Sequence, residues 1–257
     1  MKATRTEGDA YYHRIVDCQW ACPAHTPAPA YIRLIARERY AKAYLLNWRS
    51  NVFPGILGRV CDRPCEPACR RGRIDAAPVA ICRLKRVAAD FKGEVAARLP
   101  RPPDKSNGKR VACIGAGPAS LTVARDLALQ GYRVDIFDEG RAPGGRMRAQ
   151  IPTVRLPDEV IDEDCRYILD LGVELHSNHR VDSLEKFVDD PAWDAIFVGA
   201  GAPRGRDAPL PGRREAAAHI HVGIEWLANV AFGHTTKISP RVLVLGGGNT
   251  AMDCARS

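Results

Sequence analysis

The sequence predicts an α + α/β fold, in which a helical domain precedes a domain built on a parallel, doubly wound sheet. The first hundred residues have helical periodicity and hold six of the nine cysteines. Residues 99–108 (LPRPPDKSNG) are rich in proline, glycine and polar side chains, which is typical of a linker. After this linker, short apolar runs alternate with glycine turns and helices, the pattern of a parallel α/β sheet.

Two helices are predicted in the first part of the chain. Over residues 26–50 the large apolar side chains recur every three to four positions, which favours a helix; they are Tyr31, Leu34, Ile35, Tyr40, Tyr44, Leu45 and Trp48. Residues 51–58 (NVFPGILG) interrupt this pattern with proline and glycine. A second helix is predicted over residues 78–91, with Pro78 in its first turn and Asp75 as a nearby cap.

The second part opens with a strand, a turn, a helix and a strand. Residues 110–114 and 133–137 predict two buried strands, and residues 118–130 predict the helix between them, ended by Gly131. Two later apolar runs, residues 193–198 and 241–245, lead directly into glycines and predict further strands. Because two strand-to-glycine units indicate two nucleotide-binding domains, we predict domains at 1–105, 106–215 and 216–257, the last one incomplete.

The first glycine turn has the residues that a dinucleotide site requires. It follows a strand, opens a helix and fits the G-x-G-x-x-G pattern except at its last position; its residues are Gly115, Gly117, Pro118, Ala119 and Ser120. The first glycine permits a tight turn, the second lets the backbone approach a pyrophosphate, and the helix N-terminus offers free N–H groups. Asp138, at the end of the next strand, can accept hydrogen bonds from ribose hydroxyls. The sequence therefore predicts a Rossmann-like dinucleotide-binding domain.

The cysteines of the first part have a pattern that favours an iron–sulfur site. One pair has the spacing C-x3-C, three more cysteines have the spacing C-x3-C-x3-C, and a sixth stands on the second predicted helix; they are Cys18, Cys22, Cys61, Cys65, Cys69 and Cys82. Structural zinc sites usually have C-x2-C pairs, which these spacings lack. Soft thiolates in this number favour a 4Fe–4S cluster in a chain that binds a redox dinucleotide. Cys113, Cys165 and Cys254 are scattered, and we expect them at core or helix positions.

The chain is basic, with a formal net charge of +8 and a pI near 9.1. Aromatic residues make up 7% of it, and no basic helix with interleaved aromatics is present, so a nucleic-acid-binding zinc protein is disfavoured. An acidic redox partner such as a ferredoxin, or an anionic cofactor, accounts for the charge at least as well. No apolar run reaches about 18 residues, and residues 1–8 lack the apolar core of a signal peptide, so we expect a cytoplasmic protein without a membrane segment.

Further motifs resemble one family, the small (beta) subunit of glutamate synthase and its relatives, which include the N-terminal half of dihydropyrimidine dehydrogenase. The matching runs are residues 111–121, 134–138, 144–147 and 151–157 (IPTVRLP). The resemblance implies FAD at the first glycine turn, with Gly145, Arg146 and Arg155 among the residues that bind it. The chain departs from the family at three positions, where Ser120, Asp138 and Gln150 replace the usual Gly, Glu and Gly.

The second glycine turn matches the stretch of this family at which NAD(P)H binds. It reads GGGNTAMD over residues 246–253, and the implied binding residues are Gly246, Gly248, Asn249, Thr250 and Ala251. The chain ends at Ser257, so we expect an incomplete nicotinamide domain and no residues that distinguish NADH from NADPH.

The resemblance also implies up to two 4Fe–4S clusters in the helical domain. Cys22, Cys61 and Cys65 align with three ligands of one cluster. Its fourth position falls on Lys85, which cannot be a ligand while protonated. Cys82, one helical turn earlier, is the candidate that replaces it.

A second cluster is left open by the same alignment. Cys18 and Cys69 align with two of its ligands, but the other two positions fall on Ala10 and His13. Since one histidine cannot complete the ligand set, we predict one cluster and treat the second as undecided.

These inferences predict an electron-transfer flavoprotein subunit. It would pass electrons between NAD(P)H, FAD and a 4Fe–4S cluster, to or from a partner in a hetero-oligomer, either a catalytic subunit or a ferredoxin-type redox protein. This chemistry requires no general acid or base in the chain. The alternative is an adaptor subunit with the same cofactors but no nicotinamide reaction, in a larger complex such as a 2-oxoacid:ferredoxin oxidoreductase.

Overall fold

The computed structural model describes residues 16–202 and 204–257. The chain divides into two compact units: the first ends at Arg101 and the second begins at Pro102. The first unit is helical and the second is an α/β unit with a parallel sheet, which confirms the predicted order of the two fold classes. The finer division into three domains stays a prediction.

The described part of the first unit consists of short helices joined by loops. The helices are α1 (Asp17–Ala21), α2 (Ala28–Ile35), α3 (Tyr40–Ser50), α4 (Pro54–Val60) and α5 (Ile81–Asp90), with 3-10 turns at Arg70–Arg73 and Ala96–Arg98. Tyr31, Tyr44 and Trp48 are fully buried, and Tyr31 shares one buried cluster with Ala43 and Ala88. Large rings packed against small side chains let the helices approach closely, so the periodic apolar positions form the core of this unit.

The single helix predicted over residues 26–50 is wrong, because the chain forms two helices there, α2 and α3. Glu38, between them, has a φ of +56°. The Arg39 N–H donates to the Leu34 carbonyl at 2.9 Å, which closes the end of α2 around this left-handed residue. Glycine usually occupies such a position, so neither residue type nor apolar spacing revealed the break.

Helix α5 begins at Ile81, later than the predicted start at Pro78. Asp75 is not its cap, since its carboxylate accepts a hydrogen bond from Arg71 Nε at 2.6 Å. Instead, Glu66 Oε1 accepts a hydrogen bond from the Cys82 N–H at 2.9 Å. A carboxylate at this end satisfies a free N–H and complements the positive end of the helix dipole. The first turn of α5 is therefore held by the cysteine-rich loop.

Helices α4 and α5 pack with their backbones close together at Gly58. A Cβ atom at this glycine would lie 2.8 Å from Arg86 Cα and 2.9 Å from Arg86 N. Both atoms belong to the backbone of α5 and cannot move aside as a side chain could. The absence of a side chain at Gly58 thus sets the spacing of the two helices, just before the cysteines that follow α4.

The second unit contains a four-stranded parallel sheet. Its strands are β1 (Arg110–Ile114), β2 (Arg133–Phe137), β3 (Glu174–His176) and β4 (Ala195–Val198), in the order β3-β2-β1-β4. Its helices are α6 (Pro118–Ala128), α7 (Arg146–Ala149), α8 (Asp158–Leu169), α9 (Glu185–Val188), α10 (Gly223–Ala231) and α11 (Asn249–Arg256), with a 3-10 turn at Ala217–His219. Ile114 at the end of β1 pairs with Phe137 and Val198, so three strands end at one edge. In the described ranges, no helix has both the length and the hydrophobicity that a membrane span requires.

The strand predicted over residues 241–245 does not form. This run is apolar, yet Val242, Leu243 and Leu245 are 56%, 83% and 68% exposed. A strand needs a neighbouring strand to satisfy its backbone hydrogen bonds. Among the described residues the sheet consists of β1 to β4, and residues 241–245 pair with none of these strands. The strands predicted over 110–114 and 133–137 are confirmed, and the one over 193–198 is shorter than predicted.

Candidate functional site

The first glycine turn connects β1 to α6 at the carboxyl edge of the sheet. Gly115 has a φ of +95°, and a Cβ atom there would lie 2.6 Å from the Gly199 carbonyl oxygen. Gly117 is the N-cap of α6, and a Cβ atom at this position would meet no atom within 4 Å. Since Pro118 has no N–H, the first free donors of the helix belong to Ala119 and Ser120. The turn therefore directs backbone donors toward an open space beside Gly117.

A second pair of glycines lies directly against this turn. The Gly144 N–H donates to the Ala116 carbonyl at 2.9 Å. Gly145 has a φ of +50°, and a Cβ atom there would lie 3.0 Å from Gly117 Cα. The GG pair of the 144–147 motif thus packs on the first glycine turn, at Ala116 and Gly117, in each case 28 positions earlier in the chain.

Arg146, one of the residues expected to bind FAD, is exposed and faces its own helical turn. Its Nε donates to Gln150 Oε1 at 2.7 Å. Gln150 is the residue that stands where the resembling family usually has glycine, so this departure provides a partner for Arg146.

Asp138 holds the glycine turn in place. Its carboxylate accepts hydrogen bonds from the Ala116 N–H at 2.5 Å and from the Gly140 N–H at 2.7 Å. An ionised carboxylate has about four acceptor sites, so these two bonds leave capacity for a ribose hydroxyl. The expected contact of Asp138 with a ribose stays a prediction.

Ser120 replaces the third glycine of the pattern and is fully buried. In the described part of the chain its Oγ has no hydrogen-bond partner. A Cβ atom at Gly199, which follows β4, would overlap this Oγ. The serine therefore occupies space that a side chain at position 199 would otherwise fill.

The second glycine turn has nearly the same backbone conformation as the first. Gly248, the N-cap of α11, has φ −82° and ψ 176°, and Gly117 has φ −78° and ψ 177°. Two residues before each N-cap, Gly246 and Gly115 have φ values of +128° and +95°. Asn249, Thr250 and Ala251 form the first turn of α11 behind the open glycine. Both places where the sequence predicts a dinucleotide turn thus have an open glycine with the same backbone conformation at the N-terminus of a helix.

An ion pair joins the IPTVRLP segment to α11. Arg155 Nη1 donates to Asp253 Oδ2 at 2.6 Å, and the Asp253 side chain is only 8% exposed. Arg155 was expected to bind FAD, whereas the structure places its guanidinium on the helix of the second turn. The two residues are 98 positions apart, so their contact depends on tertiary packing and has no local signal in the sequence.

The first unit brings three of the predicted ligands together where α4 ends and α5 begins. Cys61 is the C-cap of α4, and Cys82 lies in the first turn of α5. The Cys82 thiol donates to the carbonyl oxygens of Leu57 at 3.5 Å and Gly58 at 3.6 Å in α4. The interaction of the two thiols lowers the pKa of Cys61 and raises the pKa of Cys82. Cys61 Sγ also accepts a hydrogen bond from the Arg63 N–H at 3.3 Å. Burial raises the pKa of Cys65, which is 8% exposed, to about 11, and the charges of Cys61 and Cys22 add to the effect.

Cys22, whose charge acts on Cys65, is the fourth predicted ligand, and we call Cys22, Cys61, Cys65 and Cys82 the four-cysteine site. The Cys22 thiol donates to Thr26 Oγ1 at 3.4 Å, which fixes it between α1 and α2. Burial raises the pKa of Tyr31. The negative charges of four cysteines add to this effect; they are Cys65, Cys82, Cys18 and Cys22. The Tyr31 hydroxyl donates to the Ile81 carbonyl at 3.0 Å. Sequence reasoning missed the roles of Tyr31 and Glu66, which support the site from positions without any metal-ligand signature.

The two cysteines expected at a second cluster also lie near each other. Burial raises the pKa of Cys18, and the charge of Cys69 raises it further. Beside them, Asp17 accepts hydrogen bonds from Arg70 Nε at 2.9 Å and from Arg73 Nη2 at 3.2 Å. The other two positions expected for this cluster, Ala10 and His13, fall outside the described residues, so the second cluster stays undecided.

Two protein-family models match the chain. Residues 12–96 match the family described as dihydropyrimidine dehydrogenase domain II, 4Fe-4S cluster. Residues 109–257 match the family described as pyridine nucleotide-disulphide oxidoreductase. The first match covers the helical unit with the cysteines, and the second covers the sheet with both glycine turns.

Curated relatives match nearly the whole chain. The NADP(+)-dependent formate dehydrogenase subunit beta of Moorella thermoacetica is 35% identical over 93% of this chain and 37% of its own length. The NADPH-Fe(3+) oxidoreductase subunit beta of Geobacter sulfurreducens is 36% identical over 96% of this chain and 38% of its own length. The NADH glutamate synthase of Schizosaccharomyces pombe is 31% identical over 94% of this chain and 12% of its own length. The resemblance drawn from the motifs is confirmed, and the chain spans little more than a third of the first two relatives.

Proposed function

Because the chain belongs to the pyridine nucleotide-disulphide oxidoreductase family, we propose that it is an electron-transfer subunit. It passes electrons between NAD(P)H, FAD and a 4Fe–4S cluster, to or from a partner protein. The observation that carries the proposal is the presence, in one chain, of the four-cysteine site, with Cys65 and Cys82 buried and Cys22 and Cys61 half-buried, and of two glycine turns of matched geometry. If the cysteines or the glycine turns had only a structural role, the chain would have no need for both of them.

The four-cysteine site fits a 4Fe–4S cluster in its donor set. Its four side chains are soft sulfurs, and thiolates are the usual ligands of such clusters. Cys61 already accepts a backbone N–H bond from Arg63, and bonds of this kind tune the potential of a cluster. Cys82 takes the fourth place instead of the residue at position 85, because Lys85 has no lone pair while protonated.

The first glycine turn fits the pyrophosphate of FAD. Gly117 leaves open space at the N-terminus of α6, and the N–H groups of Ala119 and Ser120 are free to bind an anion there. Gly145 closes one side of that space without a side chain, and Asp138 fixes the turn. When bound, FAD supplies the exchange between a hydride pair and single electrons. The chain contributes binding and orientation, and the roles of Arg146 and Arg155 in this site stay predictions, since their guanidinium groups pair with Gln150 and Asp253.

The second glycine turn is the place we assign to the nicotinamide dinucleotide. Gly246, Gly248 and the first turn of α11 (Asn249, Thr250 and Ala251) repeat the conformation of the first turn. In this proposal, residues 216–257 begin a second dinucleotide-binding domain, and the sheet of the second unit is part of a doubly wound Rossmann-like fold. The names of two relatives contain NADP(+) and NADPH, which favours the phosphorylated cofactor.

We further assign the chain to a hetero-oligomer, since two relatives are named as beta subunits. A catalytic subunit or a ferredoxin-type protein would be the redox partner. All nine cysteines are free, which suits a reducing compartment, so the proposed setting is the cytoplasm.

The test is the content of iron, acid-labile sulfide and flavin in anaerobically purified protein. About four irons with bound FAD per chain would support the proposal, and about eight would add the second cluster. Zinc in place of iron, or protein without flavin, would contradict it. Cys61→Ser should abolish the iron, whereas the matched control Cys113→Ala removes a buried thiol of β1 and should leave it unchanged. NADPH-dependent reduction of an artificial acceptor then separates this function from an adaptor that lacks the nicotinamide reaction.

A further inference from the structure

Lys85 is a buried cation beside the four-cysteine site. It lies three residues after Cys82 on the same face of α5 and is only 5% exposed. Among the described residues, no carboxylate oxygen lies within 4 Å of its ammonium group, although the chain has exposed acidic residues elsewhere. Lysines are almost never fully buried unless they are paired, so the position requires an explanation.

The groups that face Lys85 are thiols. Cys82 and Lys85 are both buried residues of α5, and the Cys82 Sγ lies 3.5 Å from the Leu57 carbonyl oxygen and 3.6 Å from the Gly58 carbonyl oxygen, in the helix that ends at Cys61. The neighbouring carboxylate of Glu66 is engaged by the Cys82 N–H at the start of the helix. Lys85 therefore lies, buried, one helical turn from Cys82, where α5 packs against the end of α4.

A buried ammonium without an opposite charge is strongly unfavourable, because burial removes its hydration and offers nothing in return. Four thiolates outweigh the positive charge of an oxidised 4Fe–4S core, so a cluster at this site is an anion. The negative charge of the cluster would then balance the buried positive charge of Lys85.

We propose that Lys85 is the counter-cation of the four-cysteine site and raises the reduction potential of the cluster bound there. One-electron reduction adds a negative charge to the cluster, and no bond forms or breaks. A fixed positive charge nearby stabilises the reduced form more than the oxidised form. The inference rests on the proposed function, since it requires a cluster at these cysteines.

The test compares the midpoint potential of the cluster in full-length, anaerobically purified variants. Lys85→Met keeps the length of the side chain and removes its charge, while Lys85→Arg keeps the charge. Lys42→Met is the matched control, because it removes the same charge from an exposed position of α3. Potentials are measured by electron paramagnetic resonance at defined potentials, with dithionite as the reductant, and iron is counted in every sample.

In Lys85→Met, the equilibrium constant for reduction should fall about tenfold or more, a shift of about 59 mV or more to lower potential. Lys85→Arg and Lys42→Met should remain close to the unchanged protein, the latter because solvent and salt screen an exposed charge. A Lys85→Met protein with full iron and an unchanged potential would overturn the inference while leaving the proposed function intact. Wild-type protein without iron would instead overturn the proposed function, and this inference with it.

Loss of the cluster in Lys85→Met is also informative. In that case Lys85→Gln is prepared as a second neutral variant and compared with Lys85→Arg. Loss of iron in both neutral variants but not in Lys85→Arg would support a requirement for the positive charge. Loss of iron in Lys85→Arg as well would assign Lys85 a packing role and overturn the inference.

Discussion

Ser120 and Gly199 compete for the same volume at the carboxyl edge of the sheet. The third position of a dinucleotide turn usually holds glycine because the helix packs closely against the sheet there. In this chain the serine side chain is accommodated, fully buried, because residue 199 has no side chain. The departure at position 120 therefore depends on a second glycine, which lies in the chain segment after β4.

This dependence predicts a compensating pair of substitutions. Gly199→Ala should destabilise the second unit by about 1–3 kcal/mol, because the new methyl group overlaps Ser120 Oγ. Adding Ser120→Gly should restore part of that loss, the remainder coming from the Phe197 ring, which lies 3.0 Å from the new Cβ atom. Thermal unfolding of the two single variants and the double variant measures the coupling.

Gly247→Ala is the control for this experiment, since a Cβ atom there meets no atom within 4 Å, and its unfolding temperature should stay nearly unchanged. Additive effects of the two substitutions, with no rescue in the double variant, would contradict the shared volume.

At the scale of elements, the close approach of α4 and α5 brings together two members of the four-cysteine site, Cys61 and Cys82. Cys61 ends one helix and Cys82 begins the other, so their contact depends on the distance between the two helix backbones. Gly58 sets that distance one turn before Cys61. Glu66 then holds the first turn of α5 from the loop that carries Cys65.

Gly58→Ala should therefore reduce the iron content of the chain by half or more. The added methyl group would lie 2.8 Å from Arg86 Cα, so the helices must separate, and overpacking of this kind costs about 1–3 kcal/mol. Iron and flavin are measured together, because flavin, which is assigned to the other unit, should be retained. Gly72→Ala in the same unit is the matched control, since nothing lies within 4 Å of a Cβ atom there. Full iron content in Gly58→Ala would show that the helix spacing does not matter for the site.

The elements also differ in how far the sequence predicts them. Strands β1 and β2 follow from apolar runs and their glycine turns, because a buried parallel strand and a phosphate-binding turn each have a local signature. The break at Glu38 has no such signature, because a left-handed glutamate closes a turn where glycine is expected. Residues 241–245 have the signature of a strand and do not form one, because strand formation also requires a neighbour.

The residues of the candidate site also differ in how far the sequence predicts them. The cysteine and glycine positions could be proposed from the sequence, since both chemistries require particular residue types at particular spacings, and their binding roles stay predictions. The burial of Lys85 and the ion pair of Arg155 with Asp253 could not, because each depends on helices that meet only in the folded chain.

At the scale of the whole molecule, the two kinds of site lie in different units. The six clustered cysteines precede the unit boundary at Arg101, and both glycine turns follow it. Each unit has its own buried core, so a substitution in one site should leave the packing around the other unchanged. The two cofactors are then expected to load independently, although electron transfer requires both.

Two variants of the full-length chain test this independence. Gly117→Val places a branched side chain in the open space at the N-terminus of α6, so it should abolish FAD binding while iron remains at about four per chain. It should lower stability by no more than about 1 kcal/mol, the usual effect at an N-cap, because no atom lies within 4 Å of the new Cβ. Cys65→Ser should have the opposite result, with flavin retained and iron lost. Each variant should lack electron transfer from NADPH to an acceptor that takes electrons from the cluster. Loss of both cofactors from either single variant would mean that the two sites stabilise each other across the unit boundary.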